Sequence, residues 1–511
     1  MRSTIKFALI SCLILTSILL ALRWPLPGLL TILASLFALG LYDIFQKEHT
    51  ILRNFPVLGH IRYLSELISP QIHQYFVEDD LSGKPINRNI RGYIYARAKL
   101  ENESHPFGTE KDVLVEGFEW LRHSIYPEPV LETKPRVRIG GPDCRQPYES
   151  SLFNISAMSF GSLSSNAVQA LNLGAKAGGF SHNTGEGGVS DYHLLGGDLV
   201  WEIGSGYFGC RRPDGRFDAD KFRQTALRPE IKMIEIKLSQ GAKPGHGGVL
   251  PAVKNTVEIA RIRGVEPHTE VVSPAFHSAF SDAKGLLHFV ESLRELSEGK
   301  PVGIKLCVGS REEFIDICEA MCDSGIHPDY INVDGTEGGT GAAPIIFSDS
   351  VGMPWEQGLV FVVDTLTGYG LRESVKVLTA TRLFTAFDLF KALCLGADAG
   401  NSARGMMLAL GCIHSLRCHT NECPTGVTSS KASLRRGLVV EEKWKRVRNY
   451  QNEVVEELME LMAAAGCREL SHLNRSLLYK RVNSKQVCYS DIYPPVGVGS
   501  LRKQAQTGSV S

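Results

Sequence analysis

The sequence calls for an α/β chain folded as a closed (β/α)8 TIM barrel behind an N-terminal transmembrane helical hairpin, and three observations lead there. From about 150 to about 430, short β-branched runs alternate with helix-spaced segments and glycine-rich turns, as a parallel sheet wrapped by helices requires. No strand runs into the G-x-G-x-x-G turn of an open dinucleotide-binding sheet, which favours closure. Two apolar stretches open the chain, KFALISCLILTSILLAL (6–22) and PLPGLLTILASLFALGLYDIF (25–45), each of the length that crosses a bilayer.

The hairpin comes first. RWPLPG makes the turn, and no small-x-small cleavage site follows the first stretch, so a removed signal peptide is the weaker reading. Arg2 and Lys6 precede the hairpin, Lys47, Arg53 and Arg62 follow it, and the turn holds only Arg23. Both ends then face the cytoplasm, which implies an inner or plasma membrane location with a cytoplasmic body. Residues 48–130 are mixed and polar and read as a solvated collar or linker; 131–435 hold the barrel; 436–493 form a helical extension, with apolar spacing over 433–466; 494–511 read as a disordered tail.

Within the body, LFNISAMSF, MIEIKLSQG, EVVSPAF, PVGIKLCVG, YINVDG and VKVLTAT read as buried strands, and NAVQALNLGAKAGG, KGLLHFVESLRELSEG, EEFIDICEAMCDSG and FDLFKALCLGA as helices. Lysine plus arginine equals aspartate plus glutamate, 55 against 55, which leaves no basic footprint for nucleic acid. Nine of the 12 cysteines are scattered without a disulfide framework, as in a reducing compartment.

Chemistry in such barrels gathers where strands end. Lys237, Gln240 and Lys243 close one strand, and Lys305 stands opposite the apolar set of another. Together these cations suit a phosphate, a dicarboxylate or the anionic edge of a reduced flavin, although any single lysine could simply reach to the rim. In YINVDGTEGGTGAAP, Asp334 and Glu337 precede Gly338, Gly339, Thr340 and Gly341, whose backbone N–H groups can meet a phosphate. The stretch GCIHSLRCHTNECPTGV (411–427) spaces Cys412, Cys418 and Cys423 as C-x5-C-x4-C and ends in Cys-Pro. That spacing serves iron-sulfur ligation, and it equally serves three buried thiols packed as small apolar groups.

Taken in order, SAMSFGSLS, NTGEGG, KLSQGAKPGHGG, DGTEGGTGAAP, PW and GC-x5-CHTN-x-CP-x-GV resemble the FMN-binding synthase domain of glutamate synthase, from about 130 to 430. The resemblance implies a barrel that holds FMN through Met158, Ser159, Lys305, Asp334, Gly338, Gly339 and Thr340, and a [3Fe-4S] cluster on Cys412, Cys418 and Cys423. It also implies that 2-oxoglutarate and ammonia condense to 2-iminoglutarate, which reduced FMN converts to L-glutamate. Lys237, Gln240 and Lys243 would bind the substrate, and Glu186 and Glu337 would act as gate or proton-relay carboxylates.

The chain also departs from the family pattern. It carries no glutaminase domain, so ammonia is expected from solution or from a separate glutaminase subunit. It carries no nucleotide-binding domain, so ferredoxin or a partner reductase is expected as donor. Thr379–Arg382 and Asn401–Arg404 stand where the family has glycine-containing phosphate turns. Arg382 and Arg404 are expected to replace the lost N–H contacts with charge-assisted ones. Alternatives are the same barrel acting on another amine or 2-oxoacid, as in N-methylglutamate synthesis, or a non-catalytic membrane electron-transfer or scaffold subunit.

Overall fold

The computed structural model describes residues 25–101 and 107–502, in two compact units, 1–89 and 90–511. The division falls at 89, neither at the expected hairpin end, 47, nor at the expected collar end, 130.

The first arm of the expected hairpin, 6–22, lies outside the described residues. The second is helix α1, Pro25–Phe45, whose segment Pro27–Phe45 is the one described helix long and apolar enough to cross a membrane. Short α2 (Thr50–Asn54) and α3 (Gly59–Ile72) follow, the latter continued by a π-helical turn, His73–Val77. Asp43, buried on the last turn of α1, accepts the Val57 N–H at 2.8 Å and the His60 ring at 3.0 Å.

The division falls within α4, Arg88–Lys99, and the second unit is organised by eight parallel strands: β1 Phe153–Ile155, β2 His182–Asn183, β3 Leu199–Ile203, β4 Ile231–Lys237, β5 Val302–Cys307, β6 Tyr330–Asp334, β7 Lys376–Thr379 and β8 Ala399–Ser402. They pair in chain order and close when β8 meets β1, Asn401 beside Asn154. Strands β3, β5, β6 and β8 are buried along their whole length, as parallel strands covered on both faces are.

Helices return the chain between strands, and their ends are set by side chains. Ser164 accepts the Ala167 N–H and starts α5, Ser165–Gly178, and Gly179 ends it in the left-handed conformation. Asp282 caps α8, Ala283–Leu296, and Ser310 caps α9, Arg311–Ser324. Thr385 and Asp388 form a reciprocal capping box on α11, Ala386–Cys394. Between these lie α6, Ala219–Ala226, α7, Val257–Arg263, and α10, Trp355–Gly368; α12, Arg404–Leu410, follows β8. Finally α13, Val440–Ala464, lies across α5 at Gly174, where a Cβ would sit 2.8 Å from the Val447 side chain and 3.0 Å from the Trp444 carbonyl.

Several expectations are corrected. EVVSPAF contributes only Val271–Val272, paired antiparallel with Val249–Leu250 outside the barrel; Pro274, lacking an N–H, stops it two residues on. The expected helical extension ends instead in strands: Leu478–Val482 pairs with Lys485–Cys488 and with Glu119–Leu121 from the expected collar. The expected disordered tail is docked as far as 502, with Gly499 N–H donating to Thr367 O at 3.1 Å and Leu501 N–H to Gly368 O at 2.8 Å.

Candidate active site

The C-terminal ends of the strands bring most of the expected residues to one mouth. Lys237, the last residue of β4, pairs with Glu186 at 2.9 Å and donates to Gln240 Oε1 at 3.0 Å, and Gln240 in turn donates to Gly339 O at 3.1 Å. Lys243 donates to Ala342 O at 3.0 Å. These bonds tie the β4 loop to the loop after β6.

Glu186 is the electrostatic centre of this mouth. Burial alone would raise its carboxyl, but Lys237, Lys243 and Arg263 outweigh it and hold it down to about 2. At neutral pH it is an ionised counter-charge to the three cations around it. Burial, with Lys237 beside it, lowers Lys243 to about 8.

Met158 and Ser159 face the same mouth from the loop after β1. Gly185 adopts φ +63°, and a Cβ there would stand 2.6 Å from Ser159 N, so only glycine lets the two loops close. Arg263, which the sequence reading passed over, reaches Phe160 O at 3.1 Å and Ser159 Oγ at 3.4 Å, and lies over the Phe208 ring at 5.0 Å.

The loop after β6 divides its work. Asp334 was expected to bind cofactor, yet its carboxylate is taken by the Gly241 N–H at 3.0 Å, the Gly335 N–H and the Thr381 hydroxyl. It ties loops together. Glu337, expected as gate or relay, accepts the Trp355 N–H at 3.0 Å and so starts α10. The Gly338 N–H is committed to Gly335 O at 2.8 Å. The N–H groups of Gly339, Thr340 and Gly341 donate to nothing among the described residues and remain exposed, three donors in succession for an anion.

The two arginines separate. Arg404 donates to Glu337 O at 2.6 Å and lays its stem over Gly339, where a Cβ would fall 2.7 Å from Arg404 Cδ. Arg382 stands near enough to lower Arg404 by repulsion, but it is exposed and held at φ +57°. Of the two arginines from which compensation was expected, only Arg404 lies against the glycine turn.

Lys305, expected near a flavin edge, has a carboxylate partner of its own. It is buried inside the barrel, 3.3 Å from Glu202 on β3, and Glu202 lies beside Glu235 of β4 in the sheet register. Although burial lowers a lysine, Glu202, Asp334 and Glu235 more than reverse that, and its pKa is raised. Asn183 and Asn332 each donate to Glu235, at 2.8 and 2.9 Å. Burial and the charge of Glu202 push the Glu235 carboxyl up to about 7 against the pull of Lys305. Two carboxylates around one lysine leave the second carboxyl best kept protonated. Neither glutamate was singled out in the sequence, because each sits between two apolar neighbours within a strand.

The three cysteines sense one another. Burial first, then neighbouring Cys418 and Cys423, pushes Cys412 up to about 11; Cys423 is buried yet drawn below its ordinary value by hydrogen bonds with Thr425 and Thr428. Buried Lys254, also missed in the sequence, donates to Ser162 O at 2.6 Å and Cys418 O at 3.3 Å; burial lowers it to about 8 against the pull of nearby Cys418 and Cys423. Among the described residues no group of three or more His, Cys, Asp or Glu side chains is placed to hold a metal, the three cysteines of the expected cluster included.

A wide groove of about 1180 Å³ lies on the barrel flank between Ala275–Leu286 and α9. Its rim carries Asp282, Glu313, Asp316, Glu319 and Asp323 against Lys284, which Asp323 pairs at 3.8 Å. Such a rim repels a dicarboxylate.

Residues 138–468 match the model of the conserved region in glutamate synthase. The chain is 38% identical over 509 residues to the glutamate synthase large subunit-like protein YerD of Bacillus subtilis, covering 91% of this chain and 96% of that one. It is 32% identical over 358 residues to an archaeal glutamate synthase [NADPH] of Methanocaldococcus jannaschii, covering 70% and 66% respectively. A mandelate oxidase solved with an FMN adduct shares only a loose outline, with TM-score 0.43 and 14% identity over 72% of this chain and 88% of that one. With its family match extending across the barrel, the mouth and the cysteine loop, this chain belongs to the glutamate synthase family of enzymes.

Proposed function

We propose that the barrel is an FMN-dependent oxidoreductase that reductively aminates 2-oxoglutarate through 2-iminoglutarate to L-glutamate. The observation that carries this reading is the cationic mouth itself, with Lys237, Lys243 and Arg263 around ionised Glu186 and Arg404 against a glycine turn that offers three free backbone donors. The free N–H groups of Gly339, Thr340 and Gly341, with the Arg404 guanidinium beside them, fit a dianionic phosphate. When bound, the flavin supplies the hydride for the imine carbon.

The remaining roles belong to side chains of this chain. Lys243 and Lys237 hold the substrate carboxylates, Gln240 keeps Lys237 aimed at the mouth, and Glu235 stores a proton at the barrel floor beside Lys305. Cys412, Cys418 and Cys423 would hold the [3Fe-4S] cluster. The nearness of Cys418 and Cys423 to Cys412, felt there as charge, supports this. Electrons would come from ferredoxin or a partner reductase, and ammonia from solution or a glutaminase subunit. Pro27–Phe45 would anchor the chain in the inner or plasma membrane with the body in the cytoplasm.

The competing reading, a non-catalytic electron-transfer or scaffold subunit, is favoured by one feature: the Arg404 stem covers the glycine turn it was expected to assist. Anaerobic purification separates them. Flavin absorption, iron retained by wild type and lost in Cys418→Ser, and glutamate formed from 2-oxoglutarate and ammonia with a chemically reduced viologen are expected. Flavin without turnover favours the subunit reading; absence of flavin removes the proposal.

A further inference from the structure

The segment expected to be a solvated collar does not have the surface of one. Along α3, Ile61, Leu64, Ile68 and Ile72 recur at helical spacing, and the π-helical turn adds Phe76. All five are between 44% and 85% exposed. Arg62, Glu66, Ser69 and His73 lie on a separate face, with Arg62 and Glu66 paired at 2.8 Å. Exposing a continuous apolar stripe of this length costs free energy in water unless something covers it.

The position of the helix identifies the cover. The start of α3 is pinned to the end of α1, because buried Asp43 accepts from both Val57 N–H and the His60 ring, and α2 packs on both helices. If Pro27–Phe45 spans a bilayer, Asp43 lies at its boundary, and α3 begins at that same depth. Its stripe is too interrupted by charge to cross the membrane, and too apolar for bulk water. That combination, with tyrosines at 63 and 75 and phenylalanines at 55 and 76, is the composition of a helix lying in the headgroup–acyl boundary.

We propose that α3 and its π-helical extension, Gly59–Val77, form an interfacial membrane helix whose Ile61–Leu64–Ile68–Ile72–Phe76 face is covered by lipid. This rests on the reading of Pro27–Phe45 as a membrane span. The anchor then has two parts, a span and a surface helix locked to it through Asp43.

The test uses the full chain in phosphatidylcholine–phosphatidylglycerol vesicles whose acyl chains are brominated. Ile68→Trp places a reporter on the stripe and Glu66→Trp one on the polar face, each read as emission added over wild type. The added emission of Ile68→Trp is expected to be quenched severalfold more than that of Glu66→Trp. Protein that floats with the vesicles while neither reporter is quenched overturns the interfacial helix and leaves the span standing. Flotation with an unquenched Ile68→Trp, together with chemical cross-linking of two chains through α3, overturns it in favour of a second copy as the cover. Protein that does not float removes both the span and this proposal.

Discussion

Glu235 illustrates how a single buried group can report on a site. Its carboxyl is raised from 4.5 to about 7, so the folded chain holds a proton that the unfolded chain has released across that interval. Stability should therefore fall as pH rises from about 4.5 to about 7, and remain lower above it. Glu235→Gln keeps the shape, and its amide can donate to Asn332 Oδ1, a buried atom now without a partner, once the Asn332 amide turns over. The variant is expected to melt with a flatter pH profile and to exceed wild type above pH 7 by on the order of 3 kcal/mol at most. Identical profiles for the two proteins would mean that Glu235 is ionised throughout. The two arginines make a sharper comparison. Arg404 is buried against the glycine turn and Arg382 is exposed, so Arg404→Ala should weaken FMN binding roughly tenfold to a hundredfold by loss of a charge-assisted contact. Arg382→Ala should change it far less. Fluorescence titration of the apoprotein checks both, and equal losses would restore the symmetric expectation.

Among the helices, the contact between α5 and α13 depends on one missing side chain. Gly174 is buried, and a methyl there meets Val447 and the Trp444 carbonyl, one of which is backbone and cannot swing aside. Alanine ordinarily favours a helix over glycine by about 1 kcal/mol, but overpacking a tight helix crossing costs about 1–3 kcal/mol. Gly174→Ala should therefore lower the melting temperature, read by circular dichroism; an unchanged or raised value would show that the crossing relaxes freely. The expected strands MIEIKLSQG, PVGIKLCVG, YINVDG and VKVLTAT are all present, because β-branched runs bounded by glycine carry their own signal. His182–Asn183 and Ala399–Ser402 were not legible. One is two residues long, the other is Ala-Gly-Asn-Ser, and both are strands only because neighbours on each side supply hydrogen-bond partners.

The division of the chain at 89 makes a prediction about its two parts. A chain beginning at Ile90 should stay in solution without detergent and retain whatever flavin the full chain holds, since every mouth residue lies beyond 150; aggregation or loss of flavin would show that 1–89 supports the barrel. The periodic runs, the strand-end lysines, the glycine loops and the cysteine spacing were legible in the sequence, and so was the family, because each depends on residues close together in the chain. Tertiary structure alone decided which groups meet. Glu202 and Glu235 look like ordinary strand residues until closure of the barrel places them beside Lys305. Asp334 and Glu337 look like ligands until Gly241, Thr381 and Trp355 claim them. Arg382 and Arg404 look equivalent until one folds over Gly339 and the other is left in water. Sequence order carries residue type and local period; the partner of a charge is a matter of distance across the barrel, and that distance exists only once the sheet has closed.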